Sequence, residues 1–249
     1  MRPRILAPLL LVVATVATLA LVAGSCGSDD SSAADSSVTS ASDPHASGHG
    51  DGAASSDGST AYGSHGMAPK VVTPSEVGDL GPGPSVGQTF TGSLGLNVCG
   101  RFLDPPAAAS SATTGVSTDG SGRFTVAPPD LATAGEDATI GELLDLIGVD
   151  LSAGSVTFPA TTEPAQIQVA TASLGIAGAT FGEDFTCGDV ATKVQLWVYS
   201  ADAVATGQDV RAVEVDPQDT PIAQDGMAFV VTVTPESSLP TLPPSALQD

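Results

Sequence analysis

Residues 5–22 read ILAPLLLVVATVATLALV, an apolar run with no charge, and it is preceded by Arg2 and Arg4. The run is about long enough to cross the hydrocarbon core of a bilayer. Directly after it come three small residues and a cysteine, Ala23-Gly24-Ser25-Cys26, and the chain then turns polar as GSDDSSAADSS. A positive start, an apolar centre and small residues at its end have the order of an export signal. An uncleaved anchor helix is the other reading of the same run. In either case the folding of this chain has to begin after Cys26.

The junction itself resembles a bacterial lipobox, in which the cysteine thiol is diacylated and the leader is cut immediately before it. Ala23 stands where that pattern favours leucine, and Leu21 lies two places further back. The resemblance implies loss of residues 1–25, lipid on Cys26, and attachment to the outer face of the cytoplasmic membrane. Cleavage without lipid is the remaining alternative. Two acyl chains satisfy the two-signal requirement for stable anchoring, at about 0.8 kcal/mol per buried methylene.

Residues 26–85 are rich in Ser, Ala, Gly and Asp and nearly devoid of large apolar side chains. Such a composition does not bury enough surface to offset the entropy of ordering it, so this stretch reads as a disordered tether. Pro69, Pro74, Pro82 and Pro84 stiffen its last part. All three histidines lie here, His45, His49 and His65. Imidazole suits Cu(II) and Zn(II), so a loose metal site is one reading. Solvated side chains on an unorganised tether are the other.

From residue 86 to residue 236 apolar alternation sets in, and the pattern predicts an α+β domain: a small, mainly antiparallel β-sheet with one short capped helix. Strands are expected at Leu94–Phe102, Gly122–Ala127, Ser155–Phe158, Ala165–Thr171, Lys193–Tyr199 and Ala228–Thr234. In the fifth, Val194, Leu196 and Val198 form a buried face, while Lys193, Gln195, Trp197 and Tyr199 form an outer, aromatic one. Asp225-Gly226 signals a tight turn before the last strand. Phe229-Val230-Val231 suggests a central strand covered on both faces. Thr139-Ile140-Gly141-Glu142 has the form of a capping box. Ile140, Leu143, Leu144 and Ile147 then make one apolar stripe, ended by Gly148. Residues 237–249, with Pro240, Pro243 and Pro244, read as an extended tail.

Export puts the remaining cysteines, Cys99 and Cys187, in an oxidising compartment, where an even pair reads as a disulfide. A redox pair is the alternative, but that chemistry needs adjacent cysteines and a thiolate-stabilising environment. The stretch from Leu94 to Pro106, LGLNVCGRFLDPP, resembles a set of actinobacterial membrane-attached proteins of uncharacterised function. In these a segment such as HWHAAYG leads into a VCG-x-[FW]-L-x-PP element, followed by GIHTHGDGLIHIHP, an ATLGxFF helix, a second cysteine before a VRVLVW-like strand, and a DGxAFVI strand. Matching elements here are 115–128, 138–148, Cys187 with 194–199, and 225–231. The family histidines are absent: Thr89, Phe90 and Thr91 stand in place of HWH, and Ser117, Asp119, Thr125 and Ala127 replace the later imidazoles. The resemblance therefore implies the scaffold and no metal or acid–base residue.

Twenty-eight acidic residues against seven basic ones give a net charge of −21. That balance excludes nucleic-acid binding, which needs Lys and Arg to replace condensed counterions. No phosphate loop or HExxH zinc motif occurs, and no histidine lies beyond residue 65, so a Ser–His or Cys–His pair has no base. Carboxylate pairs do occur at Glu136/Asp137, Glu142/Asp145 and Glu183/Asp184. Two-carboxylate hydrolysis needs them in a cleft. Asp119-Gly120-Ser121-Gly122 and Glu183-Asp184 offer oxygen ligands for Ca²⁺ without the loop spacing of a known motif. The expectation is a non-catalytic, cofactor-free lipoprotein whose domain serves as an interaction or accessory module, with the membrane and an envelope protein as partners. A Cu/Zn-sequestering protein and a carboxylate hydrolase are the alternatives.

Overall fold

The computed structural model describes residues 68–248. In chain order the strands are β1 Lys70–Val72, β2 Phe90–Val98, β3 Arg101–Phe102, β4 Ala109–Ser110, β5 Val116–Thr118, β6 Arg123–Val126, β7 Asp150–Ser152, β8 Ser155–Thr157, β9 Gln166–Val169, β10 Ala172–Gly175, β11 Thr180–Phe181, β12 Thr186–Cys187, β13 Val190–Tyr199, β14 Arg211–Val213 and β15 Met227–Pro235. Three helices join them: α1 Pro74–Gly78, α2 Ile140–Ile147 and α3 Ala201–Thr206. The class is α+β, as the pattern of apolar residues implies. No helix among the described residues is long and apolar enough to cross a membrane.

The main sheet runs β1-β14-β13-β15-β2-β6-β5-β4, with β12 pairing to β13 and β3 to β2. Most pairings are antiparallel; β1 with β14 and β15 with β2 are parallel. β15 lies between β13 and β2, and its first eight residues are buried. This is why Phe229-Val230-Val231 is apolar without alternation: both sides of the strand face core. On one face Leu94, Leu96, Leu196, Val198, Phe229 and Val231 share a core with Ile140, Leu143 and Leu144 of α2. The three-stranded sheet β11-β8-β7 closes that side with Leu151, Val156 and Phe181. Its helix stripe is the predicted one, and Gly148 ends α2 in the left-handed conformation at φ +73°.

Four expectations change in the folded chain. Trp197 and Tyr199 are not an exposed outer face: they are 2% and 1% exposed, in a second apolar cluster with Ala203, Ala212, Ala228 and Val230. Order also begins before residue 86. β1 adds to the sheet edge, and Val72 and Val77 are buried in the main core, so the stretch from Lys70 onward belongs to the domain rather than the tether. A capping box closes α1 here: the Thr73 N–H donates to Glu76 Oε2 at 2.8 Å, and the Glu76 N–H donates to Thr73 Oγ1 at 3.4 Å. At α2 the expected box is not formed: Thr139 makes no side-chain cap bond, and the Ile140 N–H donates to the Thr220 carbonyl at 2.8 Å. Finally, the residues after Pro235 do not extend away. They turn back over the sheet, bury Pro240, Pro243 and Ser245, and end in a 3₁₀ turn at Pro244–Leu247.

Cys99 and Cys187 form a disulfide with their Cα atoms 5.5 Å apart. Cys99 follows β2 and Cys187 ends β12, which pairs with β13, so the bridge ties together the two neighbours of β15. The Cys99 N–H also donates to the Val233 carbonyl of β15 at 2.8 Å.

Candidate functional site

A cleft of about 370 Å³ lies beside α2. Glu142 and Asp145 enter it from the helix, Asp150 from β7, and Gln218 and Asp219 from a 3₁₀ turn at Pro217–Asp219. Glu142 and Asp145 are three residues apart and therefore share a helical face. The turn sits close because position 141 has no side chain: a methyl group on Gly141 would lie 2.7 Å from the Gln218 carbonyl oxygen. Asp216, in the left-handed region at φ +48°, starts the turn. No Lys, Arg or His lines this cleft.

Burial raises the Glu142 pKa above its ordinary value, and the negative charges of Asp137 and Asp145 add to the effect. Glu142 Oε2 and Gln218 Oε1 are both buried without a hydrogen-bond partner among the described residues. A carboxyl whose pKa is raised beside other carboxylates is one electrostatic element of two-carboxylate acid–base chemistry. A raised pKa in a cleft is also what marks functional carboxyls more generally. The pair Glu142/Asp145 is visible in the sequence. Asp150 and Asp219 carry no local signal; only the packing of β7 and the 3₁₀ turn against α2 brings them in.

The other candidate residues are dispersed. Glu136 and Asp137 lie exposed on a 3₁₀ turn at Gly135–Asp137, and Glu183 and Asp184 are exposed between β11 and β12. Asp119 Oδ1 accepts from the Ser121 N–H at 2.8 Å and the Ser121 hydroxyl at 2.7 Å, and these bonds lower its pKa. Its role is to close the β5–β6 turn. Among the described residues no group of three or more His, Cys, Asp or Glu side chains is placed to hold a metal ion. Cys26, His45, His49 and His65 lie outside the described residues. Cys99 and Cys187 are consumed by their mutual bond.

One juxtaposition concerns the positions where histidines are expected from the resemblance. Thr91 of β2 pairs with Thr125 of β6, which pairs with Ser117 of β5. Direct cross-strand partners share a face, so these three positions stand in one row across the sheet. In this chain the row carries hydroxyls, and the Thr91 hydroxyl and N–H both donate to Asp225 Oδ1, at 3.1 and 2.6 Å. Thr91 thus helps hold the turn before β15. Comparison with protein-family models, with characterised proteins and with solved structures finds no match for the chain.

Proposed function

We propose that this chain is a non-catalytic lipoprotein, held through acylated Cys26 on the outer face of the cytoplasmic membrane, whose β-rich domain acts as an interaction or accessory module. The observation that carries this reading is the apolar run at 5–22 ending in Ala23-Gly24-Ser25-Cys26. The Cys99–Cys187 disulfide supports it, because such bonds persist in oxidising compartments. So does the position of the first strand, which begins at Lys70. Between Cys26 and that strand the sequence is rich in Ser, Ala, Gly and Asp, a composition suited to a spacer between lipid and domain. Replacement of Cys26 by Ala is expected to move the protein from the membrane fraction to the soluble fraction. Full retention of Cys26→Ala in the membrane would refute the lipid anchor. Crosslinking in intact cells, with recovery through the folded domain, tests the interaction role.

The acidic cleft favours one second reading, a carboxylate-dependent hydrolase in which Glu142 serves as the general acid. The absence of cationic side chains from its lining directs that reading to neutral substrates such as glycosides. Hydrolysis of chromogenic glycosides that is lost in both Glu142→Gln and Asp145→Asn would support it; no turnover by the intact protein would dispose of it.

A further inference from the structure

Where α2 meets the 3₁₀ turn at Pro217–Asp219, buried side-chain oxygens gather without a hydrogen-bond partner among the described residues: Glu142 Oε2, Gln218 Oε1 and Thr220 Oγ1. Glu142 and Gln218 both line the cleft. Thr220, just past the turn, is fully buried. The two segments approach closely. The Ile140 N–H donates to the Thr220 carbonyl and the Ile222 N–H to the Ala138 carbonyl, each at 2.8 Å. A methyl group on Gly141 would lie 3.3 Å from Gln218 Cβ, so the Gln218 side chain leaves the turn beside the residue that precedes Glu142.

Buried acceptors are normally matched by donors, because an unmatched one forfeits its hydration without return. No Lys, Arg or His lines the cleft to serve as that donor. A carboxylic acid brings its own: protonated Glu142 has one O–H to give, whereas the ionised carboxylate only accepts. The surroundings hold the proton in place. Burial raises the Glu142 pKa, with the charges of Asp137 and Asp145 adding to it. Asp150 of β7 and Asp219 of the turn bring further negative charge to the same cleft. β4 and β5, which also lie against α2, carry no titratable side chain. When the proton leaves, Gln218 Oε1 loses its donor and like charges face each other across the junction.

We propose that Glu142 and Gln218 form a proton-dependent clasp between α2 and the 3₁₀ turn: the protonated carboxyl of Glu142 donates to Gln218 Oε1, and loss of that proton to solvent frees the turn from the helix and widens the cleft. The clasp is closed in acid and opens as the pH rises from near 4.5 through the raised value of Glu142. Opening weakens the backbone bond from Ile140 to Thr220, which crosses the junction, and leaves β15 as it is. The proposal rests on neither the membrane-anchored nor the hydrolytic reading; it concerns how the cleft is gated.

The test is a carbon-13 NMR titration of the Glu142 carboxyl in the oxidised full chain. Gln218→Met keeps the side-chain length and removes the acceptor. In that variant Glu142 should release its proton at least about threefold more readily, the change a modest net hydrogen bond makes. If Gln218 instead turns its NH₂ toward an ionised Glu142, the same variant will hold the proton more tightly; that result, or no change, overturns the proposal. Amide exchange, corrected for its chemical pH dependence, gives a second readout. Between about pH 4 and about pH 8 the Ile140 amide should lose protection at least about fivefold relative to the amides of β15, as local opening requires. In Glu142→Gln, whose amide supplies a donor at every pH, that ratio should stay constant. A ratio indifferent to pH in the unaltered chain, or one that changes equally in Glu142→Gln, would overturn the clasp. None of these measurements needs turnover or the membrane, so failure here leaves the anchoring, crosslinking and glycoside tests untouched.

Discussion

Glu142 binds its proton more tightly in the folded chain than in the unfolded one, because burial and two neighbouring carboxylates disfavour its charge. A raised folded pKa in an acid means that stability is fullest at low pH. It declines as the pH climbs from near the ordinary value of 4.5 through the raised value, and it stays lower beyond that. Glu142→Gln removes the charge while keeping the shape. Urea unfolding at pH 7 is expected to show a gain of less than about 1 kcal/mol, small because the carboxyl is only partly buried. Near pH 3.5 the gain should disappear. An equal gain at both pH values would show that the charge is not the cause. The same residue illustrates a limit of local patterns. Thr139 and Glu142 have capping-box spacing, but Thr139 makes no side-chain cap bond in the folded chain and the Glu142 side chain lines the cleft instead.

β1 and α1 are the elements that composition conceals. Thr73-Pro74-Ser75-Glu76 carries the N-terminal signature of a helix, with proline at its first position. Around it lie Ser, Gly and Pro in the proportions of a tether, and the helix has only five residues. A helix so short is not stable alone. Its Val77 and the neighbouring Val72 become informative only when β14 is present to pair with β1. A chain starting at Val86 loses both buried valines, each worth about 1.5–3 kcal/mol. It is expected to unfold at least about 3 kcal/mol more easily than one starting at Ala68. Equal denaturation midpoints would place these two elements outside the cooperative unit. At α2 the close approach of the 3₁₀ turn gives a second prediction. Gly141→Val should cost about 1–3 kcal/mol through overpacking against the Gln218 carbonyl, as read by the thermal midpoint.

For the whole domain, the disulfide joins residues separated by 88 positions and spans the ends of β2 and β12–β13 around β15. On the chain-entropy model a loop of this length is worth about 4–5 kcal/mol. Replacing both cysteines with alanine is expected to lower the melting temperature by on the order of 10 °C without loss of the β-sheet signal in circular dichroism. A midpoint shift of under about 2 °C would show that the sheet holds its strand order without the bridge.

Periodicity and turn chemistry are local, and they determined much of this protein directly. The α+β class, the β13 and β15 strands, the α2 stripe from Ile140 to Ile147 and its stop at Gly148 all follow from residues within a few positions of one another. The cysteine pairing followed too, since only two cysteines remain beyond Cys26. Tertiary structure alone decided what covers each face. A period-two pattern says that Trp197 lies opposite Leu196, but not that α3, Phe102 and a returning chain end will bury it. Likewise the meeting of Glu142 and Asp145 with Gln218 and Asp219 depends on contacts between segments far apart in sequence. Such contacts form where the free energy of burial exceeds the entropy of closing the intervening loops, and that balance belongs to the assembled chain rather than to any stretch of it.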